Sequence, residues 1–180
     1  MQAPENDASK HEEIMSPVEE RHIDYILEEE FSIDPDFLTF FLGQARLSAI
    51  DKNRIVAFAA KCSCTAARST TTADGESDLL VKYSEREGVL PIAILIEDKI
   101  GAGFQPMQAE RYRKRGQEGK GERWSDYWTC LVAHSKYSAK PGDFDAVVTL
   151  EALHRYFADK SDDRSRFRAR ILDQRFGSMR

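Results

Sequence analysis

The chain has 180 residues, of which 41% are hydrophobic, 32% charged and 10% aromatic, with a formal net charge of -5 at pH 7. That length suffices for one domain with a real core, and no apolar run approaches the about 20 residues of a membrane span, so no membrane partner is expected. The charge sum does not advertise nucleic acid, but the basic blocks 111–115 (RYRKR) and 164–170 (RSRFRAR) can hold phosphates beside an acidic centre.

Residues 1–15 are polar and without period, which predicts a flexible tail, and 16–180 are expected to form a single domain. The tail lacks the basic and apolar blocks of a signal peptide, so a cytoplasmic location is the expectation. Cys62, Cys64 and Cys130 are expected to be reduced thiols. Cys62 and Cys64 stand too close together for the usual paired zinc spacing, and no matching Cys/His pair follows.

Ser16 as cap, Pro17 at the first helical position and Glu19 as the reciprocal acid open a first helix. Ile23, Ile26 and Leu27 form its apolar stripe, which Glu30 continues, with Glu29 at the edge. A carboxylate on an inward face hints that this helix points into a site. Asp34-Pro35 starts a second helix rich in Phe and Leu, which can run as far as Ala49. Asp51-Lys52-Asn53 reads as a turn, and 54–72 as a segment that begins helical and passes into a strand.

Asp74-Gly75 marks the next turn, and 76–83 alternates as a strand with Glu76, Asp78 and Leu80 on one face. After a hairpin connection over 85–88, the nearly all-apolar run 89–96 predicts a strand covered on both faces and central in its sheet. It ends in Glu97-Asp98-Lys99, with Glu97 and Lys99 to one side and Asp98 to the other. A helix over 106–117 carries Phe104, Met107, Gln108, Arg111, Tyr112 and Arg115 along one face, and Gly116, Gly119 and Gly121 are expected to break it. Strands over 128–133 and 145–150, a helix over 151–159 and a last basic helix capped by Ser161, Asp162 and Asp163 complete the chain. This order predicts an α/β fold with a mixed β-sheet between helical layers.

Charged residues at the exit of a buried strand are costly unless paired, and a divalent metal with a phosphate would pair them. Asp78 and Glu97, on neighbouring strands, can converge on one hard cation such as Mg²⁺ (or Mn²⁺), which prefers carboxylate oxygens and retains water. Lys99, on the face of Glu97, can contact the attacking water or the phosphate. Arg111 and Arg115 can take phosphates as bidentate donors. His134 is expected to be a hydrogen-bonded or surface histidine rather than a substrate contact.

Asp78, Glu97-Asp98-Lys99 and Gln108-Ala109-Glu110-Arg111-Tyr112 together resemble the PD-(D/E)XK nuclease superfamily, in particular bacterial members with a Gln-x-x-x-Tyr helix motif. HIDYILEEEFSIDPDFLTFF and the Gly75-Glu-Ser-Asp-Leu79 strand extend the likeness over roughly residues 20–150. The resemblance implies a restriction-endonuclease-like core, Asp78 and Glu97 as metal ligands and Lys99 as the catalytic lysine. It further implies an acid from the first helix, Glu29 or Glu30, of which the stripe favours Glu30. Gln108 and Tyr112 are expected to orient the site or touch the nucleic-acid strand. Ser77 stands where many members carry a proline.

The expected function is that of a Mg²⁺-dependent deoxyribonuclease acting in repair, restriction or phage defence, with DNA as partner and a homodimer possible where both strands are cut. The rival is a catalytically silent nucleic-acid-binding or protein-interaction module on the same fold. A small-molecule metallohydrolase fits the basic helix less well.

Overall fold

The computed structural model describes residues 20–45, 49–67, 77–100, 105, 107–137 and 143–177. The predicted tail, the cap at Ser16, Pro17 and Glu19, the turn at Asp74-Gly75 with Glu76, and Phe104 lie outside these.

Helix α1 (Glu20–Ile33) buries Ile23, Ile26, Leu27 and Phe31 on one face, as the stripe predicts. Helix α2 (Pro35–Gly43) starts at the proline, and the Asp34 side chain accepts a hydrogen bond from the Asp36 amide at 3.0 Å. It stops at Gly43 rather than running to Ala49, and Ala45 then bridges to Ala146. The expected turn at Asp51-Lys52-Asn53 is instead part of helix α3 (Ala49–Ala59). Asp51 lies in its first turn, where an acid meets the positive end of the helix dipole.

Strands β1 (Ser63–Ala67), β2 (Leu79–Ser84), β3 (Ile92–Lys99), β4 (Asp126–Ala133) and β5 (Ala146–Thr149) form one sheet in sequence order. The β1–β2 and β2–β3 pairs are antiparallel, and β3–β4 and β4–β5 are parallel. The fold is therefore α/β with a five-stranded mixed sheet flanked by helices, consistent with the restriction-endonuclease-like core expected. β3 is central, and every residue of it is buried. Its alternation divides the molecule. Ile92, Ile94 and Ile96 face the larger core, shared with α1, α2, α3 and the helices α5 (Leu150–Ala158) and α6 (Asp163–Gly177). Ala93 and Leu95 face a smaller core with Tyr112 and Trp124.

Helix α4 (Gln108–Gly119) covers that second face. Gly116 does not break it, whereas Gly119 is its last residue. Both let it press onto the sheet layer, because a Cβ on Gly116 would stand 2.1 Å from the Tyr127 ring and one on Gly119 2.1 Å from the Trp124 ring. The Trp124 indole N–H donates to the Gly116 carbonyl at 2.8 Å. The helix ends at Gly119, and Gly121 turns the chain in the left-handed region at φ +88.

Register places the site. The β2–β3 pairing ends at Leu79 and Ile96, whereas β3 continues through Glu97, Asp98 and Lys99, which among the described residues pair only with β4. Beyond Ile96 one edge of β3 is thus left by its neighbour, and Asp78, the residue before β2, stands at that notch. Among the described residues no helix is long and apolar enough to cross a membrane.

Candidate active site

The notch is closed by side chains instead of a strand ladder. The Asp98 amide donates to Asp78 Oδ2 at 2.9 Å. The Asp78 amide donates to the Tyr112 hydroxyl at 3.2 Å, and that hydroxyl donates to the Ile96 carbonyl at 3.2 Å. Tyr112, buried on α4, thereby ties the approach to β2 to the last paired residue of β3. Gln108, one turn earlier on the same helix face, donates from Nε2 to Glu97 Oε1. Lys99 Nζ lies 2.5 Å from the same Glu97 oxygen. Asp78, Glu97, Lys99, Gln108 and Tyr112 are therefore brought together. The spacing Gln-x-x-x-Tyr works because residues four apart share a helix face.

The first-helix acid that lies beside Lys99 is not the one the stripe favours. Glu30 is fully buried, at 0% exposure, but pairs with Arg168 and Arg164 of α6, and Glu29 also pairs with Arg168. At 1.5 Å per residue these positions sit about 15 Å along α1 from its start. At that start is Glu20, whose Oε1 accepts from the Ile100 amide at 3.1 Å and whose Oε2 lies 3.9 Å from Lys99 Nζ. Glu20 and Asp24 share the face of Ile23 and Leu27. Extending the apolar stripe toward the N-terminus as well as the C-terminus would have found both.

Two basic candidates separate. Arg111 is exposed on α4 and donates to Gln105 Oε1 at 2.8 Å. Arg115 is buried, donating to the Ser77 hydroxyl with its guanidinium 5.0 Å from the Tyr112 ring centroid. Tyr112 itself is 2% exposed, so neither it nor Arg115 offers the surface that a strand contact requires. His134 is also buried, accepting at Nδ1 from the Lys136 amide at 3.0 Å, with Nε2 3.4 Å from Glu151.

Carboxylates crowd the notch. Burial raises the Glu97 carboxyl, and the Asp78 charge adds to the rise against the lowering effect of Lys99 and Tyr112. Asp98 lies on the opposite side of β3, as strand parity predicts, and it is buried. Burial, followed by the charges of Asp24, Asp78 and Glu20, pushes it up to about 10. Burial alone would lower the Lys99 ammonium, but its contact with Glu97 and the charges of Glu20 and Asp78 outweigh that, and it is raised. The lysine is held as a cation.

These residues fit a hard divalent cation. Among the described residues no three Asp, Glu, His or Cys side chains converge as a ready-made cluster. Mg²⁺ does not require one, since it commonly binds through one or two carboxylates plus water and substrate phosphate. Asp78 and Glu97 can supply that pair, with Glu20 beside them. Both Asp98 oxygens are buried and lack a hydrogen-bond partner among the described residues, the sign of a region short of positive charge.

A pH dependence follows. The folded protein retains a proton on Asp98 above its ordinary value of 3.8, while the unfolded chain has lost it. Stability of the metal-free protein is therefore expected to fall as pH rises between those two values. Asp98→Asn should flatten the dependence of Tm on pH between about 5 and 8 and raise Tm at the upper end by about 3 °C or more. Parallel curves for the two proteins would contradict it.

Comparison with protein-family models finds no matching family, and comparison with curated proteins finds no match.

Proposed function

We propose that the protein is a metal-dependent nuclease that hydrolyses DNA phosphodiester bonds at the notch beside β3. The observation that carries this is a notch where Asp78, just before β2, and Glu97 of β3 stand beside a lysine that Glu97 holds as a cation, with Gln108 and Tyr112 of one helix face bonded to Glu97 and to the Asp78 amide. Bound Mg²⁺ or Mn²⁺ supplies charge neutralisation at the phosphate and an activated water.

The chain's own residues do the rest. Asp78 and Glu97 hold the cation, and Glu20 stands close enough to Lys99 to join them. Gln108 fixes the Glu97 carboxylate by its amide, so that the ligand does not swing. Lys99 keeps its proton on Nζ and places positive charge where negative charge develops, a better match to its raised proton affinity than removing a proton from water. Exposed Arg111, one turn into α4 from Gln108, is placed to meet a backbone phosphate.

The experiment is direct. Linear, circular and single-stranded DNA are incubated with the protein in Mg²⁺, in Mn²⁺ and in EDTA. Cutting is expected with either metal and none with EDTA. Binding of DNA without cutting in any metal would favour the silent binding module instead.

A further inference from the structure

Asp78 has an unusual foothold. It precedes the first ladder pair of β2 with β3, so among the described residues no strand partner fixes it. Its backbone amide is held by Tyr112 and its carboxylate by the Asp98 amide. The residue before it, Ser77, is 1% exposed and accepts a hydrogen bond from Arg115 Nη1. Arg115 is 5% exposed, packs over the Tyr112 ring and has a buried Nε without a hydrogen-bond partner among the described residues. Burying a guanidinium against a hydroxyl and a ring is expensive relative to pairing it with a carboxylate. The sequence pattern suggests a phosphate contact at this position, but the side chain points into the protein.

We infer that Arg115 and Ser77 form a latch that positions Asp78, making Arg115 a positioning residue for the metal-binding carboxylate and not a nucleic-acid contact. This rests on the site proposed above. The guanidinium bridges two independent holds on Asp78. One end fixes the residue immediately before it, and the planar face braces the tyrosine whose hydroxyl receives the Asp78 amide. Losing the latch releases Ser77 and loosens Tyr112 together, so that Asp78 Oδ1 and Oδ2 sample a wider range. A cation that depends on fixed carboxylate geometry is then bound more weakly.

The test measures Mn²⁺ affinity by calorimetry or electron paramagnetic resonance, with melting temperature recorded alongside. The proteins are wild type, Ser77→Ala, Arg115→Met, the double variant and Asp78→Asn. Ser77→Ala and Arg115→Met are each expected to weaken Mn²⁺ about tenfold, the usual scale for removing a support behind a metal ligand. The double variant should be no weaker than the worse single one, because both break the same link. A DNA-binding salt series adds a second readout. Loss of a phosphate contact reduces the slope of log K against log salt by about 0.9, whereas loss of the latch leaves it unchanged.

Wild-type Mn²⁺ affinity in Ser77→Ala and Arg115→Met, with affinity lost in Asp78→Asn, overturns the latch and leaves the site standing. A reduced salt slope in Arg115→Met likewise overturns it. Unchanged affinity in Asp78→Asn overturns the site itself. Should Arg115→Met fail to fold, Ser77→Ala, which removes one hydroxyl, decides alone.

Discussion

Replacing Arg168 by methionine is expected to destabilise the protein by about 3–5 kcal/mol, the scale for removing one partner of a buried ion pair. For a chain of this size that corresponds to a fall in Tm of about 10 °C. Arg168 is 2% exposed and Glu30 0%. The guanidinium reaches both Glu29 and Glu30, and lies 5.5 Å from the Phe157 ring centroid. It therefore fastens α6 to α1 and packs on α5 as well. Without it, Glu30 retains Arg164 at 3.3 Å, but that side chain is 44% exposed and screened by solvent. The double variant Glu30→Met/Arg168→Met should recover much of the loss, because no buried charge is left alone. Metal affinity separates this role from the site: Glu30→Gln should leave Mn²⁺ binding intact, and Glu20→Gln should weaken it. Loss of Mn²⁺ binding in Glu30→Gln at unchanged Tm would show that the acid belongs to the metal centre after all.

Lys99→Ala is expected to slow metal-dependent DNA cutting by about 10²–10³-fold, the range for removing one preorganised charge-stabilising group. The loss should appear in kcat with little change in DNA affinity, since the ammonium acts on charge that develops during reaction. A second effect accompanies it. With Lys99 gone, Glu97 keeps burial and the Asp78 charge, which raise it, and loses the contact that lowers it. Its proton then competes with the metal to higher pH, so the activity profile of the variant should shift upward in pH. Lys99→Arg should not restore full rate, because a planar guanidinium does not reproduce the compact charge that stands 2.5 Å from Glu97 and 3.9 Å from Glu20. Equal residual cutting by wild type and Lys99→Ala would remove the site from consideration.

Most of the elements were legible locally. The α2 cap needed only Asp34-Pro35, and the centrality of β3 followed from an apolar run too continuous for a half-exposed strand. Strand parity correctly separated Asp98 from Glu97 and Lys99. Glycine was a local signal that misled in part: Gly116 and Gly119 read as helix breakers, and α4 does end at Gly119, yet their missing side chains also admit the Tyr127 and Trp124 rings. Nothing in the helix itself announces what will be pressed against it. The acidic Asp51 likewise suited either a turn or a first helical turn, and context chose the helix.

Within the candidate site, the residues legible without the fold are those whose partners are near in chain or in register: Asp78 and Glu97 through the hairpin, Lys99 through alternation, and Gln108 and Tyr112 through helical spacing. The contributions set by how helices lie on the sheet were not legible in the sequence, because they depend on long-range packing. Glu30 and Glu20 occupy similar inward positions on one helix. Which of them meets β3 depends on the direction of α1 across the sheet and on α6 arriving with two arginines to claim the far end. Arg115 and Arg111 differ by four residues and share a helix face, yet Arg115 is buried against Ser77 and the Tyr112 ring, whereas Arg111 stays at the surface beside Gln105. A periodic pattern identifies a face of a helix. What that face meets, and along which direction, is fixed by packing against residues far away in the chain.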